Sequence, residues 1–297
     1  MNKVIAIDFG GTLIKGAVVD SNGKLDKVLI EKTESQKSAK IILARIEKII
    51  NKLLILDKNI SGIGISCPGP ADYQAGNFLN PPNLPTLKNL PIVKLLSKRF
   101  RLPIKMQNDA DCALLAEHWL GVAKNFQNVI LLTLGTGIGG SALVDGKLLK
   151  GNTGNAGEFG HMSINSKGPK CACGKVGCFE TFASARVLEK LGKKVGLKFQ
   201  YARQIVEQSY KNQKAKNIVK NHIGWLSVGI GNLINIFDPE VVILGGGLYA
   251  SKDLNYYIIK EKIQDFCLQL NAGKIKIIPS KFKDYSGLLG AAQLFFV

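Results

Sequence analysis

Three cysteines, Cys171, Cys173 and Cys178 of "KCACGKVGC", make up half of the six in this chain. Thiolates at that density suit a tetrahedral metal such as Zn²⁺, which takes four ligands of the Cys and His type in structural sites. Of three histidines in the chain, only His161 sits close upstream of the thiols. His118 and His222 fall on helical patterns and read as surface or packing residues. His161, Cys171, Cys173 and Cys178 therefore form a candidate Cys₃His set, and Gly174 and Gly177 let the chain fold back around it. The plainer alternative is a reduced cluster without metal, which leaves the spacing unaccounted for. A filled four-ligand site has no open position for chemistry, so the zinc is expected to be structural. Glu158 lies three residues before His161, and Glu180 two after Cys178. With one imidazole nitrogen on the metal, the other turns outward. An imidazole and two carboxylates held rigidly in this way form a polyol-binding arrangement.

Three glycine-rich turns each follow an apolar, strand-like run: Asp8-Phe9-Gly10-Gly11-Thr12, Gly135-Thr136-Gly137-Ile138-Gly139-Gly140 and Gly245-Gly246-Gly247. Glycine lets the backbone approach a ligand closely, and successive amides can form an anion nest. Taken singly, each reads equally well as a tight hairpin or a strand end. No Walker lysine follows any of them, and none has the dinucleotide spacing. The second leads into a strand-like run, against a Rossmann unit. Two such turns in units of the same shape, one carrying an acid, point to a phosphate clamp in which Asp8 holds Mg²⁺ through water. In "QNDADCALLAEHWLG", Asn108 and Asp109 stand just before a helical pattern. A helix cap with an acidic first turn explains them locally. The chemical reading has Asp109 accept the proton of a hydroxyl attacking a phosphoryl group, a reaction that asks the protein mainly for positioning and charge neutralisation.

The elements that must position these residues alternate. "KVIAIDFGG" and "LIKGAVVD" read as strands around a turn at Ser21-Asn22-Gly23. A helix is predicted over about Ser38–Leu56, with apolar residues at helical spacing. "ISGIGISCPGP" is a buried strand, Asn77–Pro91 an irregular loop, Ile92–Phe100 a helix and "LPIKMQND" a strand. "NVILLTLGTGIGGSALVDGKLL" then repeats the strand–turn–strand shape of the N-terminus, as an ancient duplication would leave it. Helices are predicted near Ser184–Leu191 and Gln200–Ile236, then a strand "EVVILGGG" and a closing apolar helix. The pattern predicts an α/β fold in two lobes, with the first at 1–107, the second at 108–283, and the last helix (about 284–297) returning to the first.

Composition narrows the function class. A chain of 297 residues with 46% hydrophobic content can bury a large core. The apolar run Ile223–Phe237 is too short and too interrupted by Gly and Asn to span a bilayer. No leader segment is visible at the N-terminus, and scattered cysteines make no disulfide framework, so a cytoplasmic protein is expected. The net charge of +18 comes from 35 Lys and 5 Arg spread along the chain. Arg is the residue suited to bidentate phosphate and base recognition, so a solvated lysine surface is expected, with no nucleic-acid partner.

Taken together, "AIDFGGT", "ISCPGP", "QNDA", "LGTGIGG", "GEFGH", "CACGKVGCFE" and "NIFDPEVVILGGG" resemble, in order and spacing, the ROK family of repressors and sugar kinases, from Val4 to about Ala292. The resemblance implies an actin-like (hexokinase, ribonuclease H-like) duplicated fold with ATP in a cleft between two lobes. It implies that Asp8, Gly10, Gly11, Thr12, Gly135, Thr136 and Gly137 bind phosphate, with Lys15 nearby, and that Gly245, Gly246 and Gly247 lie on the adenosine side. It makes Asp109 the catalytic base, and Asn108, Glu158, His161 and Glu180 the sugar contacts, with Gly69 and Asn83 added from the first lobe. Leu13, Ser141 and Gln107 depart from the family pattern, though none is a reacting group. The activity implied is ATP- and Mg²⁺-dependent phosphorylation of a hexose, glucose first. Fructose, N-acetylmannosamine, N-acetylglucosamine, or polyphosphate as donor are alternatives. Relatives of this type are commonly homodimers. A sugar-sensing repressor is disfavoured, because the first strand begins at Lys3 and leaves no space for a helix-turn-helix.

Overall fold

The computed structural model describes residues 2–248, 256–268 and 275–296. The chain divides into two compact units. Unit 1 comprises Met1–Lys124, Lys150–Ala156 and Asp284–Val297, and unit 2 comprises Asn125–Leu149 and Gly157–Lys283.

In unit 1, β1 (Lys3–Phe9) pairs antiparallel with β2 (Leu13–Asp20), which pairs antiparallel with β3 (Leu25–Lys32). On the other side β1 pairs parallel with β4 (Ile60–Cys67), and after the short pair β5 (Ala71–Asp72) and β6 (Asn77–Phe78), β4 pairs parallel with β7 (Ile104–Asn108). The sheet order is β3-β2-β1-β4-β7. Helix α1 (Ala39–Leu56) buries Ile42, Ile46, Ile49, Ile50 and Leu53, a spacing that keeps one face apolar. That face packs on the hairpin closely enough that a Cβ at Gly16 would meet Ile49 Cγ2 at 2.3 Å. Each such fully buried aliphatic side chain contributes roughly 1.5–3 kcal/mol. Helix α2 (Ile92–Phe100) precedes β7, and α3 (Asp109–Leu120) follows it.

In unit 2, β8 (Val129–Leu134) pairs antiparallel with β9 (Ile138–Val144), β9 antiparallel with β10 (Lys147–Leu148), and β8 parallel with β11 (Val241–Gly245), which pairs parallel with β12 (Lys276–Pro279). The order, β10-β9-β8-β11-β12, is again third-second-first-fourth-fifth with the same strand directions. The two sheets are thus copies of one topology. Helices α4 (Glu180–Ala183), α5 (Ala185–Lys194), α6 (Ala202–Gln208), α7 (Gln213–Phe237) and α8 (Tyr256–Ile263) complete the described part of this unit. Its core runs through Leu132, Phe179, Leu226, Ile230 and Leu244.

The closing helix α9 (Ser286–Gln293) belongs to unit 1. Backbone contacts hold it there: a Cβ at Gly290 would lie 1.8 Å from the Cys112 carbonyl of α3, and one at Gly64 of β4 would lie 1.9 Å from the Ala291 carbonyl. Because α3 packs on α9, unit 1 continues to Lys124 instead of ending before Asn108. Three further differences from the sequence-based expectations have local causes. Strand β3 goes unread because its side chains are largely exposed, Ile30 at 57% among them. The segment Gln200–Ile236 is two helices, since Asn212 caps α7 by accepting from Lys214 N and Ala215 N and so forces a break after α6. The Asn77–Pro91 segment carries strand β6 and a 3₁₀ turn at Pro85–Leu87.

Candidate active site

The expected site residues fall into one group on each unit. On unit 1, Asp8 sits near the end of β1, with Oδ1 accepting from Ser66 Oγ at 3.2 Å and Oδ2 3.8 Å from Lys15 Nζ. Lys15 itself donates to the Asp284 carbonyl at 2.8 Å. Burial raises the Asp8 carboxyl above its ordinary range, and Lys15 and Ser66 only partly offset that. A carboxylate so placed gains from a nearby cation, as the Mg²⁺ reading requires. The helix start of α9 closes over it: a Cβ at Gly287 would be 2.4 Å from Asp8 Oδ1. The turn at Gly10–Thr12 closes by Gly10 N–H to the Leu13 carbonyl (2.9 Å) and is pinned by buried Thr33, whose hydroxyl donates to the Gly10 carbonyl at 2.6 Å and whose N–H donates to the Thr12 carbonyl at 2.9 Å. Asn83 lies against this turn, its carbonyl 3.1 Å from where a Gly11 Cβ would stand.

Asn108 ends β7 and caps α3, its Oδ1 accepting from Ala110 N (2.8 Å) and Asp111 N (3.3 Å). The local reading, a helix cap followed by an acidic first turn, is therefore met at these residues. Asp109 Oδ1 also accepts from Ala110 N at 2.8 Å, and the helix N-terminus stabilises its negative charge. Gly69 lies beside Asn108, where a Cβ on the glycine would stand 3.7 Å from Asn108 Nδ2.

On unit 2, Gly135 N–H donates to the Gly137 carbonyl at 3.0 Å, and Ala185 N–H, at the start of α5, donates to the Gly135 carbonyl at 2.8 Å. The turn at Gly245–Gly247 packs on the same strand end. Gly246 has φ +87°, and a Cβ there would meet the Leu134 carbonyl at 2.4 Å, so glycine is required on both counts. Gly135, Thr136 and Gly247 line one cavity of about 310 Å³, with Glu189, Tyr201 and Gln204. The structure thereby brings two of the three glycine turns to one place.

Glu158 precedes a single 3₁₀ turn, Phe159–His161. Gly160 lets that turn lie against β9, since a Cβ would meet the Ile138 carbonyl at 2.0 Å. The ligand atoms of His161, Cys171, Cys173 and Cys178 all lie within 4.8 Å of one another. Cys173 Sγ and Cys178 Sγ are 3.6 Å apart, and Cys171 Sγ is 3.8 Å from His161 Nδ1. Tetrahedral Zn²⁺ with Zn–S of about 2.3 Å asks for edges of roughly 3.5–3.8 Å, so the donor set fits a zinc ion held through Nδ1, leaving Nε2 for other partners. Zinc would supply rigidity there, without an open coordination position. The backbone N–H of Lys175 holds the Cys173 thiol below its usual range, whereas burial pushes Cys171 and Cys178 up. Metal binding takes all three as thiolates.

Glu180, the first residue of α4, joins this cluster to the turn at Gly135–Gly137. Its Oε1 accepts from the Cys171 thiol at 2.9 Å and lies 3.8 Å from His161 Nδ1, while Oε2 is 2.6 Å from where a Gly137 Cβ would stand. Sequence spacing alone did not connect Gly137 with Glu180. Ser66, Thr33, Gly287 and Tyr73 (which bonds Asn108) were missed too. Each acts through long-range contacts and carries no local signature.

The sequence pattern of the ROK family matches residues 4–296. The chain belongs to the ROK family. It is 30% identical to a glucokinase of Thermotoga maritima, over 98% of this chain and 96% of that one. It is 31% identical to an N-acetyl-D-glucosamine kinase of Mannheimia succiniciproducens, over 97% of each. A Caldicellulosiruptor bescii xylose repressor is also similar, 31% identical over 88% of this chain and 69% of its own length. Among solved structures, a ROK-family glucokinase of Streptomyces griseus in complex with glucose and AMPPNP superposes with a TM-score of 0.85 at 26% identity, covering 99% of both chains. The actin-like fold of ROK hexokinases is thus the fold of this chain.

Proposed function

We propose that this ROK protein is an ATP- and Mg²⁺-dependent hexokinase that phosphorylates glucose at its 6-hydroxyl, with Asp109 as general base. The observation that carries the reading is the start of α3, where Asn108 caps the helix and Asp109 is oriented by Ala110 N–H. In the reaction Asp109 takes the proton of the sugar hydroxyl as its oxygen bonds to the γ-phosphorus. The bond from that phosphorus to the β–γ bridging oxygen breaks, and ADP leaves with the electron pair. Asp8 would hold Mg²⁺, which would supply charge neutralisation to the transferring phosphates. Lys15 adds positive charge beside Asp8. The turns at Gly10–Thr12 and Gly135–Gly137 offer backbone amides to phosphate, and the cavity of Gly135, Thr136 and Gly247 suits the nucleoside side.

Glu158, His161 and Glu180 fill the role of sugar-hydroxyl partners on unit 2, and Asn108, Gly69 and Asn83 on unit 1. The AMPPNP bound to the Streptomyces relative favours a nucleoside triphosphate as donor over polyphosphate. N-acetylglucosamine is a second substrate reading, favoured by the equally similar Mannheimia kinase. A coupled kinase assay over glucose, fructose, mannose, N-acetylmannosamine and N-acetylglucosamine, each with ATP and with polyphosphate, tests the proposal. The expected result is the highest kcat/KM for glucose with ATP. A higher value for an N-acetylhexosamine overturns the substrate, and no turnover with any hexose overturns the kinase.

A further inference from the structure

Asn108 is fixed at its backbone and at its side chain. Its N–H donates to Gln107 Oε1 at 2.9 Å, and its Oδ1 caps α3. These anchors are local to the chain. Another reaches in from 35 residues away, where Asn108 Nδ2 donates to Tyr73 Oη at 3.2 Å. With Oδ1 committed to two helix amides, the amide has one orientation that satisfies its neighbours. Nδ2 carries two protons. Once Tyr73 takes one, the direction of the other is set.

Tyr73 follows β5 in the loop after Gly69, and its hydroxyl lies directly over that glycine. A Cβ at Gly69 would stand 2.7 Å from Tyr73 Oη and 3.7 Å from Asn108 Nδ2. Gly69, Tyr73 and Asn108 therefore meet at one point of unit 1, one residue before Asp109. Burial, the largest of its influences, pushes the Tyr73 phenol well above its ordinary range, so it stays a neutral hydroxyl that accepts from Asn108. A phenolate or a charged side chain at this point would add a second unit of charge next to the base. Phenylalanine would fill the same volume and leave the Asn108 amide without its distant anchor.

We propose that Tyr73 is a positioning residue of the sugar site: its hydroxyl holds the Asn108 amide so that the remaining N–H is presented to a sugar hydroxyl while Oδ1 keeps the first turn of α3, and Asp109 with it, in place. This rests on the reading of Asn108 as a sugar contact and Asp109 as the base. Nothing in the local sequence around Tyr73 marks it for this role; the hydrogen bond and the bare Gly69 beneath it do.

Tyr73→Phe keeps the ring and removes the oxygen. Loss of one hydrogen bond of ordinary strength corresponds to a fall in kcat/KM for the sugar of about three- to tenfold. The KM for ATP is expected to stay within about twofold, because the nucleotide meets other residues, and sugar affinity by calorimetry is expected to fall with kcat/KM. The cycle with Asn108→Ala separates positioning from general loosening. In the Asn108→Ala background, Tyr73→Phe should cost nothing further, whereas independent, multiplying losses would show that Tyr73 does not act through Asn108. Unchanged sugar kinetics and affinity in Tyr73→Phe overturn the inference, and so does an equal loss for ATP and sugar. A wild-type protein that turns over a hexose while Tyr73→Phe behaves identically removes Tyr73 alone. A wild-type protein that neither binds nor phosphorylates any hexose removes the proposed function, and this inference with it.

Discussion

Two carboxylates far apart in the chain act on one buried thiol. Cys67, at the end of β4, has its pKa pushed up by burial first and then by the charges of Asp109 and Asp8. The residue proposed as base and the residue proposed to hold Mg²⁺ thus share a neighbourhood in unit 1, though their roles differ. Asp109→Asn keeps the shape and removes the proton acceptor. Turnover is expected to fall by roughly 10²–10⁴, with sugar affinity by calorimetry changed less than about threefold. Residual turnover near the wild-type rate would take Asp109 out of the mechanism. The zinc reading has its own check at this scale. Protein purified without chelator should carry close to one equivalent of zinc by elemental analysis, and Cys173→Ser should lower it. Less than about half an equivalent in the wild type would count against a four-ligand site.

Most elements are legible in the chain because their local patterns agree with the fold. The bounds of β2 and α2 read directly from "LIKGAVVD" and "IVKLLSKRF", where burial and periodicity coincide. The Cys₃His set is legible too, since its members lie within one short segment. Strand β3 is not, because an edge strand with exposed faces has little hydrophobic alternation to read. The extent of unit 1 is also hidden, because it depends on α3 meeting α9 through Gly290, far along the chain from Cys112. That contact makes a prediction at the element scale. Gly290→Ala places a Cβ 1.8 Å from the Cys112 carbonyl, a backbone atom that cannot rotate away. The helices must separate, and overpacking of this kind costs typically about 1–3 kcal/mol or more. Chemical denaturation should show that loss, and because α3 begins at Asp109, kcat should fall as well. A variant with wild-type stability and kcat would mean that α9 is not held in this way.

At the scale of the whole molecule, one sheet topology occurs twice, each copy with its own glycine turns and its own core. The cores differ in one respect that pH can reveal. In unit 2, α7 buries His222 at 1% exposure, and desolvation lowers its pKa to about 4 from an unfolded value near 6.5. Between those values the unfolded chain binds a proton that the native state does not. Stability therefore rises with pH through this window and falls as pH drops from about 6.5 towards 4, by at most on the order of 3 kcal/mol in all. The half-buried carboxylates Asp57 and Glu31 have lowered pKa values through Lys3 and Lys48, so their contribution is lost only at still lower pH. Zinc held by the proposed site would add its own slope on release in acid, which a comparison with His222→Leu cancels, because both proteins keep His161 and the three cysteines. Urea midpoints at pH 7.5, 6.0 and 5.0 should fall more steeply for the wild type than for His222→Leu. Parallel slopes for the two proteins would show that His222 takes up its proton without cost, and that the unit 2 core is open to water at α7.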